Sequence, residues 1–325
     1  MSFIKNLNFR RFATAAAVSG ILLFGNAVDA AVTDDAGMKA FREAYTEPLS
    51  ATRMFRQDFI LVSTTFHLEL KSNAQITPEG SMKMSGDLLW TYTNLQKNYS
   101  TNSALPFYIE QSGNNLMLYI QRGGQWSKMA LPGLPSGIIT LWKSNDMNVV
   151  NRNMDAVKKV EVLKDTSDVR IMKVTLDGDK IAKLIEKNSQ ASFANLSGDA
   201  LAEEKENLNR WLTAIKTSDV TFTWGVKKPN WTTVSITFEL TDIMRAYSRY
   251  VLSESAAGRI VLTDEERDLL DVMGYYSELH SYTTYLSPDS GDIKFNIPPN
   301  LESIPENDSS LDDIFAEMTT AVVKK

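Results

Sequence analysis

Between residues 81 and 92 the chain alternates without interruption. Met82, Met84, Leu88, Trp90 and Tyr92 fall at period two with Gly86 among them, while Ser81, Lys83, Ser85 and Asp87 point the other way. A period of two marks a strand with one apolar and one wet face, a pattern that no helix folds into a single stripe. Strands of this kind make a large antiparallel sheet, and its apolar face must be buried under helices, a second sheet or a ligand. Which of these covers it decides what the protein does.

The rule recurs along the chain. Over residues 58–70, Ile60, Val62, Phe66, Leu68 and Leu70 read as one face, and Ser63, Thr65, His67 and Glu69 as the other. Thr77-Pro78-Glu79-Gly80 is a turn signal leading into the alternating stretch. Residues 107–131 read as a three-strand meander with turns at Gly113-Asn114-Asn115 and Gly123-Gly124. Both faces are apolar over 116–120, which predicts either cover on each side of the sheet there or a central strand. Tyr and Thr enrichment predicts a strand over 275–285, and Ile293, Phe295 and Ile297 predict another over 292–297, stopped by Pro298-Pro299.

Helical spacing appears between these stretches. A first helix is predicted from Asp34 or Asp35, with Met38, Phe41, Tyr45 and Leu49 on one stripe. Residues 160–185 lie over 222–247 at an offset of 62 without a gap, which predicts two β-hairpin–helix units. Between the units, residues 199–216 form an amphipathic helix carrying Leu201, Leu208, Trp211, Leu212 and Ile215. Thr263-Asp264-Glu265-Glu266 is a capping box for a helix ending near Gly274. A short helix from Ser310 places Leu311, Ile314, Phe315, Met318 and Val322 on one side. The fold class that follows is α+β: about ten antiparallel strands in a strongly curved half-barrel, with amphipathic helices roofing the concave face.

Residues 1–30 read as a secretory signal peptide. Lys5, Arg10 and Arg11 precede an apolar run from Ala13 to Phe24, and Val28 and Ala30 offer the small residues of a cleavage site after Ala30. That segment carries three bases and Asp29, so its removal changes the net charge from −6 to −8. An acidic mature chain is a poor nucleic-acid binder. The chain has no cysteine, which excludes disulfides, thiol catalysis and a lipidated cysteine. With no transmembrane pattern after residue 30, the expected address is periplasmic or extracellular. The domains expected are the signal peptide over 1–30, one half-barrel domain over 31–300, and an acidic C-terminal tail over 301–325.

Groups that carry chemistry are sparse. The two histidines, His67 and His280, share strand faces with Ser63 and Glu69, and with Glu278 and Tyr282, as histidines on a strand surface commonly do. No nucleophile elbow, HExxH pair or calcium loop is present, and Gly123-Gly124 is a turn with no helix behind it to cradle phosphate. No catalytic residue, metal or cofactor is therefore expected. What remains is the apolar face itself: Val62, Phe66, Leu68, Met82, Met84, Leu88, Trp90, Tyr92, Phe222, Trp224, Ile236, Phe238, Ile293 and Phe295. Methionines suit a face that accepts varied apolar guests.

In these stretches the chain resembles the lipoprotein-carrier superfamily of bacterial envelopes, the LolA and LppX-like half-barrels. The resemblance lies in the leader, the helix entering FILVSTTFHLEL, SMKMSGDLLWTY, LMLYIQRGGQWSKMAL, the hairpin-to-helix units ending VTLDGDKIAKLI and ITFELTDIMRAY, and IKFNIP. It implies an incomplete barrel whose concave side holds a lipid, acyl chain or lipidated protein without chemistry. The partner expected is thus a lipid or lipoprotein ligand, with no nucleic acid and no integral membrane span in the mature chain. The alternative is an envelope structural or interaction protein that recognises protein, peptide or glycan through its surface, its concavity filled.

Overall fold

The alternating stretch becomes β3 (Met82–Asn94), one of the eleven strands that the described residues of this computed structural model form in a single antiparallel sheet. The structure describes residues 36–45, 53–64, 66–77, 81–94, 99–112, 115–131, 155–189, 197–229, 231–286 and 294–306. The N-terminal leader and the segment from Ser310 onward lie outside these residues, as does Leu49. Among the described residues the chain runs α1 (Ala36–Tyr45), β1 (Arg53–Ser63), β2 (Phe66–Ile76), β3, β4 (Tyr99–Ser112), β5 (Asn115–Arg122) and β6 (Gln125–Leu131). It continues through β7 (Val157–Asp165), β8 (Val169–Leu176), α2 (Gly178–Ser189), α3 (Gly198–Lys216), β9 (Val220–Lys227) and β10 (Thr232–Glu239). α4 (Thr241–Ala256), α5 (Asp264–Met273), β11 (Ser277–Leu286) and a 3-10 turn at Leu301–Ser303 complete it.

Strand order is β6-β5-β4-β3-β2-β1-β11-β10-β9-β8-β7, so β6 and β7 are free of each other and the sheet stays an open, curved half-barrel. A meander, β1–β6, and a four-strand group, β7–β10, are stitched together by β11, which pairs with β1 on one side and β10 on the other. Bend is built into the backbone. A Cβ on Gly86 would meet the Lys71 carbonyl oxygen at 1.8 Å, so β2 and β3 approach more closely there than any other residue permits.

The ladder register carries one face across the whole sheet. Ile236 pairs with Trp224 and Trp224 with Met172; Phe238 pairs with Phe222 and Phe222 with Val174. On the other side of β11, Leu279 pairs with Leu61, Leu61 with Leu68 and Leu68 with Trp90. Met84 pairs with Ile109, and Ile109 with Leu118. This inner face forms a continuous apolar cluster with the helices.

Both hairpin–helix units form as the repeat predicts, β7–β8–α2 and β9–β10–α4, each helix following its own second strand. Ile181, Ala182 and Ile185 of α2 and Ile243, Met244, Tyr247 and Val251 of α4 are buried with the inner face. Trp211 of α3 stacks on Tyr247 at 4.1 Å and 17°. Phe41 of α1 meets Trp224 edge-on at 5.4 Å. α5 opens on the expected capping box: the Thr263 N–H donates to Glu266 Oε2 at 2.7 Å, and the Glu266 N–H to Thr263 Oγ1 at 3.2 Å. α1 is clasped to the β7–β8 hairpin by Arg170, which donates to the Ala40 carbonyl at 3.0 Å, to Glu43 at 2.9 Å and to Asp165 at 2.9 Å. Lys228 also donates to Asp165, and the Arg170 guanidinium lies 4.6 Å from the Trp231 ring centre. Together Arg170 and then Lys228 hold the Asp165 carboxyl at about 2, well below its ordinary 3.8.

Two expectations are corrected. Residues 58–70 are two strands, because β1 ends at Ser63 and β2 begins at Phe66, with Val62 paired to His67. A two-residue connection brings odd positions of β1 opposite even positions of β2, so Leu61 faces inward while Ile60 and Val62 face outward. Residues 294–297 form no strand either. They cross the outer face as a strap: Asn73 Nδ2 donates to the Lys294 carbonyl at 3.2 Å, and the Asn296 N–H donates to Ser85 Oγ at 3.0 Å. The strap ends at β6, where the Lys128 N–H donates to the Pro305 carbonyl at 3.0 Å.

Candidate functional site

The site built by this register is the inner apolar face. Its two halves are covered to different degrees. On β8–β10, Met172, Val174 and Phe222 are wholly buried, Trp224 and Ile236 are 2% exposed, and Phe238 is 3% exposed. Phe222 and Phe238 pack at 5.3 Å. These residues lie with the buried faces of α1, α2, α3 and α4, and they form a solid core. On the meander, Phe107, Leu118 and Ile120 are buried as well, while Leu68, Leu70, Met82, Met84, Leu88, Leu105, Ile109 and Met129 join the same cluster but are only partly buried.

The expected site residues divide accordingly. Phe222, Trp224, Ile236 and Phe238 belong to the solid half. Leu68, Met82, Met84 and Leu88 belong to the partly buried half, and the ladder sets the backbone positions of Phe66, Trp90 and Tyr92 in its rows, two of them paired as Phe66 with Tyr92. Val62 stands on the outer face beside His67 and Glu278, displaced by the parity change at the β1–β2 hairpin. Phe295 belongs to the outer strap, away from the inner face. Ile293 lies outside the described residues.

Sequence reading passed over Leu105, Ile109, Phe107, Leu118 and Ile120, which face inward on β4 and β5. The available signal was the doubly apolar stretch 116–120. Its second face is covered as that pattern requires: Tyr108, Tyr119 and Ile304 are buried together against Met117, Trp126 and Leu301. Here the phenols donate to one carboxylate, Tyr108 to Glu110 at 2.9 Å and Tyr119 at 3.2 Å. Burial first, and then the Glu110 charge, push both phenols above their ordinary value.

Both histidines lie on the outer face. His280 Nε2 is 3.0 Å from Glu278, its Nδ1 is 3.1 Å from Thr237 Oγ1, and its ring lies parallel to Tyr282 at 6.2 Å. Hydroxyl, imidazole and carboxylate thus follow in line, but β10 and β11 are interior strands whose ladders engage the backbone N–H groups an oxyanion would need. Ser63, expected beside His67, is buried on the opposite face. Among the described residues no group of three or more His, Asp or Glu side chains is placed to hold a metal ion. No helix among them is long and apolar enough to cross a membrane.

No protein-family model matches the chain, and no curated protein matches it. Among solved structures the chain is similar to the crystal structure of LprF from Mycobacterium bovis, at 12% identity and a TM-score of 0.34, over 87% of this chain and 97% of that one.

Proposed function

We propose that the protein is a non-catalytic carrier that binds a lipid, an acyl chain or a lipidated protein against the inner face of β2–β6, in the periplasm or outside the cell. The observation that carries this reading is the unequal cover of one continuous apolar face. Its β8–β10 half is sealed by helices, whereas on the meander Leu68, Leu70, Met82, Met84, Leu88, Leu105, Ile109 and Met129 are left partly buried beside buried Phe107, Leu118 and Ile120. The apolar area these side chains leave in water costs about 25 cal/mol per Å², which an alkyl chain removes by desolvation and dispersion without any reaction. Three thioethers among these side chains, Met82, Met84 and Met129, adapt to guests of different shape.

Protein purified from its native host is expected to release an acyl lipid on solvent extraction, identified by mass spectrometry. The same extraction from a Leu88→Glu variant of wild-type circular dichroism should be empty. An empty wild-type extract would remove the reading. A second reading, surface recognition of peptide or glycan, draws on one observation: Glu278, His280 and Tyr282 line the outer face of β11 in a row that Tyr276 leads into, with Tyr276 and Tyr282 exposed. Binding that survives Leu88→Glu but is lost in Tyr282→Ala would favour it.

A further inference from the structure

The geometry points to a single long alkyl chain as the guest of the partly buried half, laid lengthwise along β3. This inference rests on the carrier reading and fixes the direction and length of the ligand, which that reading leaves open. On β3 the inner positions Met82, Met84, Gly86 and Leu88 follow one another, and all of them are partly buried. The strands beside it are not open in this way. On β2 the inner positions Ser72 and Ala74 are buried, and on β4 Phe107 is buried while Leu105 and Ile109 are not. The apolar surface that water reaches is therefore continuous along β3 and interrupted on either side of it.

Gly86 keeps that line unbroken. A Cβ there would meet the Lys71 carbonyl oxygen at 1.8 Å, so the pairing of β2 with β3 demands glycine, and no β3 side chain stands between Met84 and Leu88. Leu70 and Leu105 pair with Leu88 from its two sides, and Ile109 pairs with Met84, so a chain over β3 also meets partly buried flanks. The dimensions select the guest. From Met82 to Leu88 the strand rises about 20 Å. An extended alkyl chain advances about 1.3 Å per carbon, so about sixteen carbons cover that length. Across the strands, from β2 to β4, the distance is only about 10 Å, which about eight carbons fill. A second chain beside the first would have to cross Ser72, Ala74 and Phe107, whose surfaces are already withdrawn from water.

The test uses the full chain, freed of co-purified lipid, and straight-chain fatty acids from octanoate to palmitate, titrated by displacement of a fluorescent dye. Wild type should gain about fourfold in affinity per added methylene over the whole series. Met84→Trp stands a ring in the middle of the line. It should lower palmitate affinity by about a hundredfold or more and leave octanoate within about threefold, because a short chain still fits on one side of the block. Lys83→Trp, on the outer face of the same strand, should change neither. Circular dichroism and urea midpoints close to wild type establish that the variants are folded, and the wild-type series decides the direction of the chain without them. A wild-type series that levels near about eight carbons puts the chain across the strands. That result, or an unchanged palmitate-to-octanoate ratio in folded Met84→Trp, overturns the inference while the carrier reading stands. Wild type that binds no member of the series overturns both.

Discussion

The two halves of the inner face share one alternating pattern and one ladder, yet β8–β10 is a sealed core, whereas on β2–β6 buried Phe107, Leu118 and Ile120 stand beside side chains that are only partly buried. The difference follows from connectivity. Each strand pair of the repeat ends in a helix, α2 after β8 and α4 after β10, and that helix folds back over the strands that precede it. In the meander one strand leads directly to the next through hairpins, so within it no strand pair supplies its own cover. Alternation in a sequence therefore says that a face will be buried, while the element following each hairpin says by what. Where a helix follows, the answer is the protein itself; where only another strand follows, a guest can be the answer.

The largest effect is expected in the sealed half. Phe222 is wholly buried between Phe238 and the helices, so Phe222→Ala leaves a closed cavity as well as losing apolar transfer. Urea denaturation should show a loss of about 3–5 kcal/mol. A loss below about 1 kcal/mol would mean that the helices do not seal this half, and the comparison between halves would collapse.

Next in size is the clasp that holds α1 onto that half. Arg170→Ala removes the bonds to Ala40, Glu43 and Asp165 together, and about 1–3 kcal/mol of stability should go with them, since both carboxylates remain in contact with water. The pH dependence has a definite sign. Asp165 titrates at about 2 when folded, against an ordinary 3.8, so its ionised form stabilises the fold above pH 4. That contribution is lost as pH falls from about 4 to about 2. In Arg170→Ala the acid limb of the stability profile should flatten over that interval. An unchanged limb would place the acid sensitivity elsewhere.

Much of this arrangement is legible in the residues. The run at 81–92, the capping box at Thr263 and Glu266, and the 62-residue repeat are local patterns, and each becomes the element its period requires. The doubly apolar stretch at 116–120 asks for two covers and has them, the inner cluster and the strap with Ile304. What escaped has no local signal. Thr64-Thr65 carries none of the Gly, Asn or Asp chemistry that marks a tight hairpin, so β1 and β2 read as one strand and Val62 fell on the wrong face. β11 joins two groups of strands through pairings some 220 residues apart in the chain, such as Phe59 with Ser281, and nothing in 275–285 announces its neighbours. Ile293, Phe295 and Ile297 alternate as a strand would. An extended strap alternates equally well, and only its bonds to Asn73 and Ser85 tell the two apart.

The smallest expected change in stability is the one that separates the halves most sharply. Met84 and Leu88 lie on the inner face of β3, paired with Ile109 and Leu105, but they are only partly buried. Truncating either to Ala removes area that water already reaches in part and leaves a dent open to solvent, not a sealed void. Met84→Ala and Leu88→Ala should therefore cost about 1 kcal/mol each in urea denaturation, well under the Phe222→Ala value. Their effect on a bound alkyl chain runs the other way, because the same methylenes are then what the guest rests on. At about 0.8 kcal/mol per buried methylene, loss of two or three should weaken an alkyl probe by about tenfold or more. Stability and affinity thus respond in opposite order in the two halves if the meander face is a binding surface. Were Leu88→Ala to cost as much stability as Phe222→Ala while alkyl affinity stayed put, the β2–β6 face would be core like the rest. The uneven cover from which the carrier reading starts would then have no functional meaning.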